Sequence, residues 1–208
     1  MNFPTSIWTR ILQVRKDPEG VKDLVVRRYR PAVYEFARKR GLSHEDAEDV
    51  AQEVFLRVCA EGFLERADRQ RGKFRALLLA VSRHVIASHQ RRTLAARRDR
   101  RREVALEDFE FPADIPPDGD FDLAWAKNLA QLAMERLKGK PSLDLLLARM
   151  EGATAKELAA RVGKTEHAVE TALYRVKESL RREIERLVAE YSNEADVDDE
   201  LGAILKYL

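Results

Sequence analysis

Two groups of residues in this chain have the types and spacing to do chemistry, and both would act through charge. The first is a run of carboxylates, Asp46, Glu48, Asp49 and Glu53, with Gln52 among them, in SHEDAEDVAQEVFLRV. Asp46, Asp49 and Glu53 could be offered to Mg²⁺ as in a metal-dependent nucleic-acid enzyme. Three carboxylates on one helix converge poorly on an ion, however, and no general base accompanies them. His44, His84, His89 and His167 do not fall at metal-ligand spacing and read as surface or packing residues. Cys59 is the sole cysteine. A disulfide within the chain and a cysteine metal cluster are thereby excluded, and Cys59 is expected to be a buried, inert thiol. The expectation is no catalytic residue, no metal and no cofactor. The second group is cationic: from Arg66 to Arg102, thirteen basic residues stand against Asp68 and Asp99. From Glu103 to Trp125 there are eight acids and no Lys or Arg. The net charge of +2 hides this segregation. Such blocks suggest a nucleic-acid surface beside an acidic linker. A carboxylate patch next to an arginine-rich helix suggests two different partners on one small bundle.

These groups need helices to position them. With 36% charged and 45% apolar residues, the chain reads as soluble and helix-rich. Ser43 stands where an N-cap belongs, with Asp46 three residues on. Ala47, Val50, Ala51, Val54 and Val58 then recur at helical spacing, so the carboxylates fall off the apolar face. Glu45 and Asp46 suit the helix dipole in a first turn; Asp49 and Glu53 lie beyond it and are expected to face solvent. Before this helix, the pattern predicts a short helix over 6–14 and a longer one over 21–40, kinked or split at Pro31 and stopped at Gly41. After it come a polar loop over 61–72 and a helix burying Phe74, Leu77, Leu78, Val81 and Val85. Together these make a helical domain over residues 1–95. Residues 96–120, with Pro112, Pro116 and Pro117, read as an extended acidic linker. The N-terminus lacks a signal-peptide pattern and no apolar run approaches a membrane span, so a cytoplasmic location without membrane insertion is expected.

The second domain, 121–190, begins with a helix from Phe121 to Lys138, followed by a short one capped by Ser142. Thr154 to Glu157 form a capping box. The helix it opens ends at the turn Val162-Gly163-Lys164, and Thr165 caps a long helix. This is the layout of a helix-turn-helix. Val169, Leu173, Val176 and Leu180 would hold the second helix down. His167, Glu170, Thr171, Tyr174 and Lys177 would face outward, flanked by Arg175, with Arg181 and Arg182 placed for phosphates. Residues 191–208 form an acidic tail with an apolar pattern at Leu201, Ile204, Leu205 and Leu208. Its readings are a solvated tail, a packing helix, or a competitor for phosphates that docks on the second domain.

The run from Asp46 to Phe55 resembles the acidic helix of region two in extracytoplasmic-function sigma factors of bacterial RNA polymerase, close to D-A-E-D-hydrophobic-x-Q-E-hydrophobic-F. GKFRALLLAVSRHVIASHQRR is similar to the helix that follows in that family, matching at Phe74, Arg75, Leu78, Arg91 and Arg92. It departs at Leu77, His84 and Ser88, where the family often has Trp, Asn and Asp. EGATAKELAARVGKTEHAVETALYRVKESL resembles region four, matching at Gly152, Thr154, Glu157, Leu158, Ala159, Val169, Leu173, Arg175 and Leu180. The resemblance covers about residues 5–190. It implies an all-α protein of two small helical domains and an initiation factor without catalysis of its own. Asp46, Glu48, Asp49, Gln52 and Glu53 would dock on the large clamp subunit of the polymerase core. Phe63, Arg69, Arg71, Lys73, Arg75, Arg83, Arg91 and Arg92 would serve the promoter −10 element, where bases must be held unstacked. Phe74 starts an apolar stripe and reads as core. Lys164, His167, Glu170, Thr171, Tyr174, Arg175 and Arg181 would serve the −35 element. Glu170 stands where the family commonly has a basic residue; it either reads a cytosine or weakens binding. The linker would thread the core near the growing RNA, unless it is a plain spacer. The implied partners are core polymerase, promoter DNA and an anti-sigma factor. The alternative is a stand-alone helix-turn-helix regulator.

Overall fold

The computed structural model describes residues 18–60, 74–98, 115–192 and 197–207. The expected helix over 6–14, the loop over 61–72 and residues 99–114 of the expected linker lie outside them, while residues 96–98 and 119–120 of that linker are helical rather than extended. The fold is all-α: α1 (Pro18–Lys39), α2 (His44–Val58), α3 (Phe74–Arg98), α4 (Gly119–Arg136), α5 (Pro141–Met150), α6 (Ala155–Val162), α7 (Glu166–Tyr191) and α8 (Val197–Leu205). The chain divides into two compact units. The first is residues 1–128 with 189–208, and the second is 129–188.

In the first unit α1, α2 and α3 pack on one another. α1 runs through Pro31 without a break, so the expected split does not occur. It ends at Gly41, whose φ of +84° is the left-handed conformation that glycine adopts without strain. Tyr29, Phe36, Val50, Val54, Phe74, Leu78 and Val81 are fully buried. Phe74 is therefore core, as its place in the apolar stripe predicts. Two rings from α4 complete this core. Trp125 stacks on Tyr29 at 4.8 Å between centroids, and Phe121 meets Phe36 edge-on at 5.2 Å. Burial of rings of this size is worth several kcal/mol, which is why residues 121–128 belong to the first unit rather than opening the second. Residues 189–208 belong to it too. The tail thus contributes a helix to the first unit, α8, with Leu201 and Ile204 buried.

The second unit is built on Leu137, Leu143, Leu146, Leu158, Val169, Leu173 and Val176. α5 begins at Pro141, one residue before the expected cap Ser142, with Lys140 in the N-cap place and no side-chain cap. Proline's fixed φ suits that first position and its missing N–H is not needed there. The Thr154–Glu157 capping box forms in full. Gly163 has φ +63° at the turn into α7, and the Thr165 hydroxyl accepts from the Ala168 N–H at 3.2 Å.

Candidate docking face and nucleic-acid interface

The Ser43 hydroxyl accepts from the Asp46 N–H at 3.0 Å and donates to the Asp46 carboxylate at 2.7 Å. His89, from α3, meets the other Asp46 oxygen at 3.0 Å. The Ser43 hydroxyl, helped by His89, holds the Asp46 carboxyl below its usual range. Glu48 is ion-paired with Arg30 of α1. Burial pushes the Glu53 carboxyl up, but Arg92 at 2.8 Å and Arg57 at 2.6 Å outweigh it and keep it low. Glu53 therefore does not face solvent freely, as its position past the first turn had suggested. Three of the five acidic-patch residues thus tie α2 to its neighbours or to its own last turn. Asp49 and Gln52 are exposed. One turn further, Leu56 is 65% exposed. Asp49, Gln52 and Leu56 share one face by their spacing, and Leu56 is the member that charge-based reading missed. A large apolar side chain left in solvent beside polar ones is the available signal.

The basic stretch divides in three. Phe63, Arg69, Arg71 and Lys73 lie outside the described residues. Arg75 and Arg83 are held by carboxylates distant in sequence. Arg75 is ion-paired with Asp122 and Glu200. Arg83 donates to the Pro116 carbonyl at 2.9 Å and to Asp118 at 3.0 Å, and Arg40 pairs with Asp118 as well. Burial raises the Asp118 carboxyl, yet Arg83 and Arg40 bring it below its ordinary value. Arg91 and Arg92 are exposed at the far end of α3, with Arg92 leaning on Glu53. Cys59 is half-buried at the end of α2, and His44 sits against Tyr34 with a 2.8 Å hydrogen bond. Among the described residues no group of three or more His, Cys, Asp or Glu could hold a metal ion.

In the second unit, Lys164, His167, Glu170, Tyr174, Arg175, Lys177, Arg181 and Arg182 are all exposed along the turn and α7. Tyr174 is 67% exposed, far more than a packing tyrosine. Thr171 differs from expectation. It is half-buried, and its hydroxyl donates to the His167 carbonyl at 2.9 Å, the back-bonding typical of threonine within a helix. Arg181 donates to Glu185 at 3.2 Å, one turn on. The result is a helix presenting cations, an aromatic ring and one carboxylate, held to its unit by the apolar stripe on its other face.

The model of sigma-70 region 2 matches residues 25–98, the span from the first half of α1 to the end of α3. ECF RNA polymerase sigma factor SigD of Mycobacterium tuberculosis is 34% identical over 172 residues, covering 82% of this chain and 76% of the relative. The same figures hold for SigD of Mycobacterium bovis. This chain belongs to the extracytoplasmic-function sigma factors. SigE of Mycolicibacterium smegmatis is 29% identical over 162 residues, covering 76% of this chain and 60% of the relative. Membership makes the protein a transcription initiation factor that works with RNA polymerase. For a sigma factor of this family, the described arrangement has a simple chemical sense. α2 exposes Asp49, Gln52 and Leu56, while α3 and α7 carry exposed cations. No helix among the described residues is long and apolar enough to cross a membrane.

Proposed function

We propose that this sigma factor docks on the large clamp subunit of core polymerase through the outer face of α2, and reads promoter DNA with two separate surfaces. The basic stretch ending in α3 takes the −10 element and helps hold its bases unstacked. The outer face of α7 takes the −35 element in duplex form. The observation that carries this is the exposed row along the turn and α7, from Lys164 to Arg182, set on a capped helix-turn-helix. The docking half rests on Asp49, Gln52 and Leu56, which stay outward while Asp46, Glu48 and Glu53 are engaged internally. Charged residues that steer an encounter and an apolar residue that is buried on contact are a common pairing at interfaces. Glu170 fits acceptance from a cytosine amino group better than any phosphate contact, because a carboxylate repels phosphate.

The test is direct. The protein is mixed with core polymerase, the complex is recovered, and run-off transcription is measured on genomic fragments. Expected are a stable complex and discrete start sites that require the protein. Duplex binding by the isolated chain without any polymerase association would overturn the reading.

A further inference from the structure

Arg75 opens α3, within the stretch assigned above to the −10 element. Its guanidinium is shared by two carboxylates far away in the chain, Asp122 in the first turn of α4 and Glu200 in the first turn of α8. The Glu200 contact is made side-on: Nε of Arg75 meets one oxygen and Nη2 meets the other, at 3.2 Å. The Arg75 side chain is 15% exposed, Asp122 is 6% exposed and Glu200 is not exposed at all. Leu201 and Ile204 already give α8 an apolar anchor. A buried glutamate adds a desolvation cost that attachment of the helix does not require. What the side-on pair does is reproduce, with a carboxylate, the two-bond geometry by which a guanidinium grips a phosphate. Asp198 and Asp199 precede Glu200 and are exposed, so the first turn of α8 is acidic. Arg83, two turns along α3, is treated alike, held by Asp118 and the Pro116 carbonyl. Being part of the same chain, α8 competes at high effective concentration.

We propose that α8 is a built-in mask, in which Glu200 occupies Arg75 in the place of a nucleic-acid phosphate until single-stranded promoter DNA displaces it. The proposal rests on reading the start of α3 as part of the −10 surface. The mask would keep the free sigma factor from binding single strands at random.

The test uses the full chain and a fluorescein-labelled single-stranded 20-mer of mixed sequence at low salt. Glu200→Gln keeps the size and one hydrogen-bond acceptor but loses the charge. It is expected to tighten binding about tenfold, and the gain should vanish in the Arg75→Gln, Glu200→Gln double variant. Hydrogen exchange on the unaltered protein supplies a second reading that needs no variant to fold. On adding the oligonucleotide, amides at the start of α3 should gain protection while those of α8 lose it. Protection at α3 with α8 unchanged, or no tightening in a folded Glu200→Gln protein, overturns the mask and leaves the −10 assignment standing. No protection at α3 at any oligonucleotide concentration overturns the −10 assignment, and the mask with it.

Discussion

Asp49 and Glu53 differ by one turn of α2, yet the structure gives them different work. Asp49 is exposed, while Glu53 bridges Arg57 and Arg92. Reversing Asp49 to Lys is expected to weaken core binding while leaving the melting temperature unchanged. Reversing Glu53 to Lys would set three cations together, so it should lower the melting temperature as well. Leu56→Asp should act like the Asp49 change, because a side chain 65% exposed contributes little to the fold. Binding by pull-down and melting by circular dichroism separate these outcomes; equal melting loss in all three would place the docking face elsewhere. The same carboxylates set the response to acid. Glu53 and Asp118 titrate below their ordinary values of 4.5 and 3.8. Across that window the unfolded chain binds more protons than the folded one. The stability these pairs supply is therefore complete above about pH 4.5 and is lost as pH falls through the lowered values. Asp122 acts in the opposite sense. Burial raises its carboxyl against the pull of Arg75, so its contribution is present in acid and is lost as pH rises through the raised value. The urea midpoint should drop between neutral pH and about pH 3.5. Asp118→Asn, which keeps the caps to the Asp120 and Phe121 N–H groups, should flatten that drop. An unchanged slope in this variant would show that Asp118 is not a determinant.

At the scale of elements, α7 is the part whose outer face can be tested residue by residue. Arg175 lies mid-helix and exposed, while Arg181 is further along and braced by Glu185. A residue that reads a base edge affects one sequence, and a residue on a phosphate affects all of them. Arg175→Ala is expected to lose about 1–3 kcal/mol on the preferred −35 duplex and much less on unrelated DNA. Arg181→Ala should weaken all duplexes alike and lower the salt slope by about one. Fluorescence anisotropy over a salt series distinguishes the two patterns, and the reverse assignment would mean that α7 enters the groove in another register. Helix starts and stops were the most legible features at this scale. Ser43, the Thr154–Glu157 box, Thr165 and the glycines at 41 and 163 act locally, through bonds within a few residues. Ser142 misled because Pro141 had the stronger claim on the helix start.

At the scale of the whole molecule, α8 completes the first unit. Removing residues 193–208 takes away buried Leu201 and Ile204 and the Glu200 partner of Arg75. The loss is expected to be about 2–4 kcal/mol, reckoned from the apolar area uncovered. Denaturant titration of the truncated chain would read it, and full stability after truncation would reduce α8 to a solvated appendage. The amino-acid sequence by itself determined the helices, their caps, the apolar stripe of each, the buried place of Phe74, and the family through the run from Asp46 to Phe55. All of these are local, repeating every three or four residues or held within one turn. Tertiary structure alone decided which charges face outward. Glu53, Arg75 and Arg83 carry the charges their neighbours carry, and nothing within a turn of Arg75 announces Asp122 or Glu200. It also decided that residues 121–128 and 189–208 belong to the first unit. The physical reason is common to both cases. Ring stacking and ion pairing between residues 47 to 125 positions apart depend on where the chain returns in space, and hydrophobic periodicity carries no record of that.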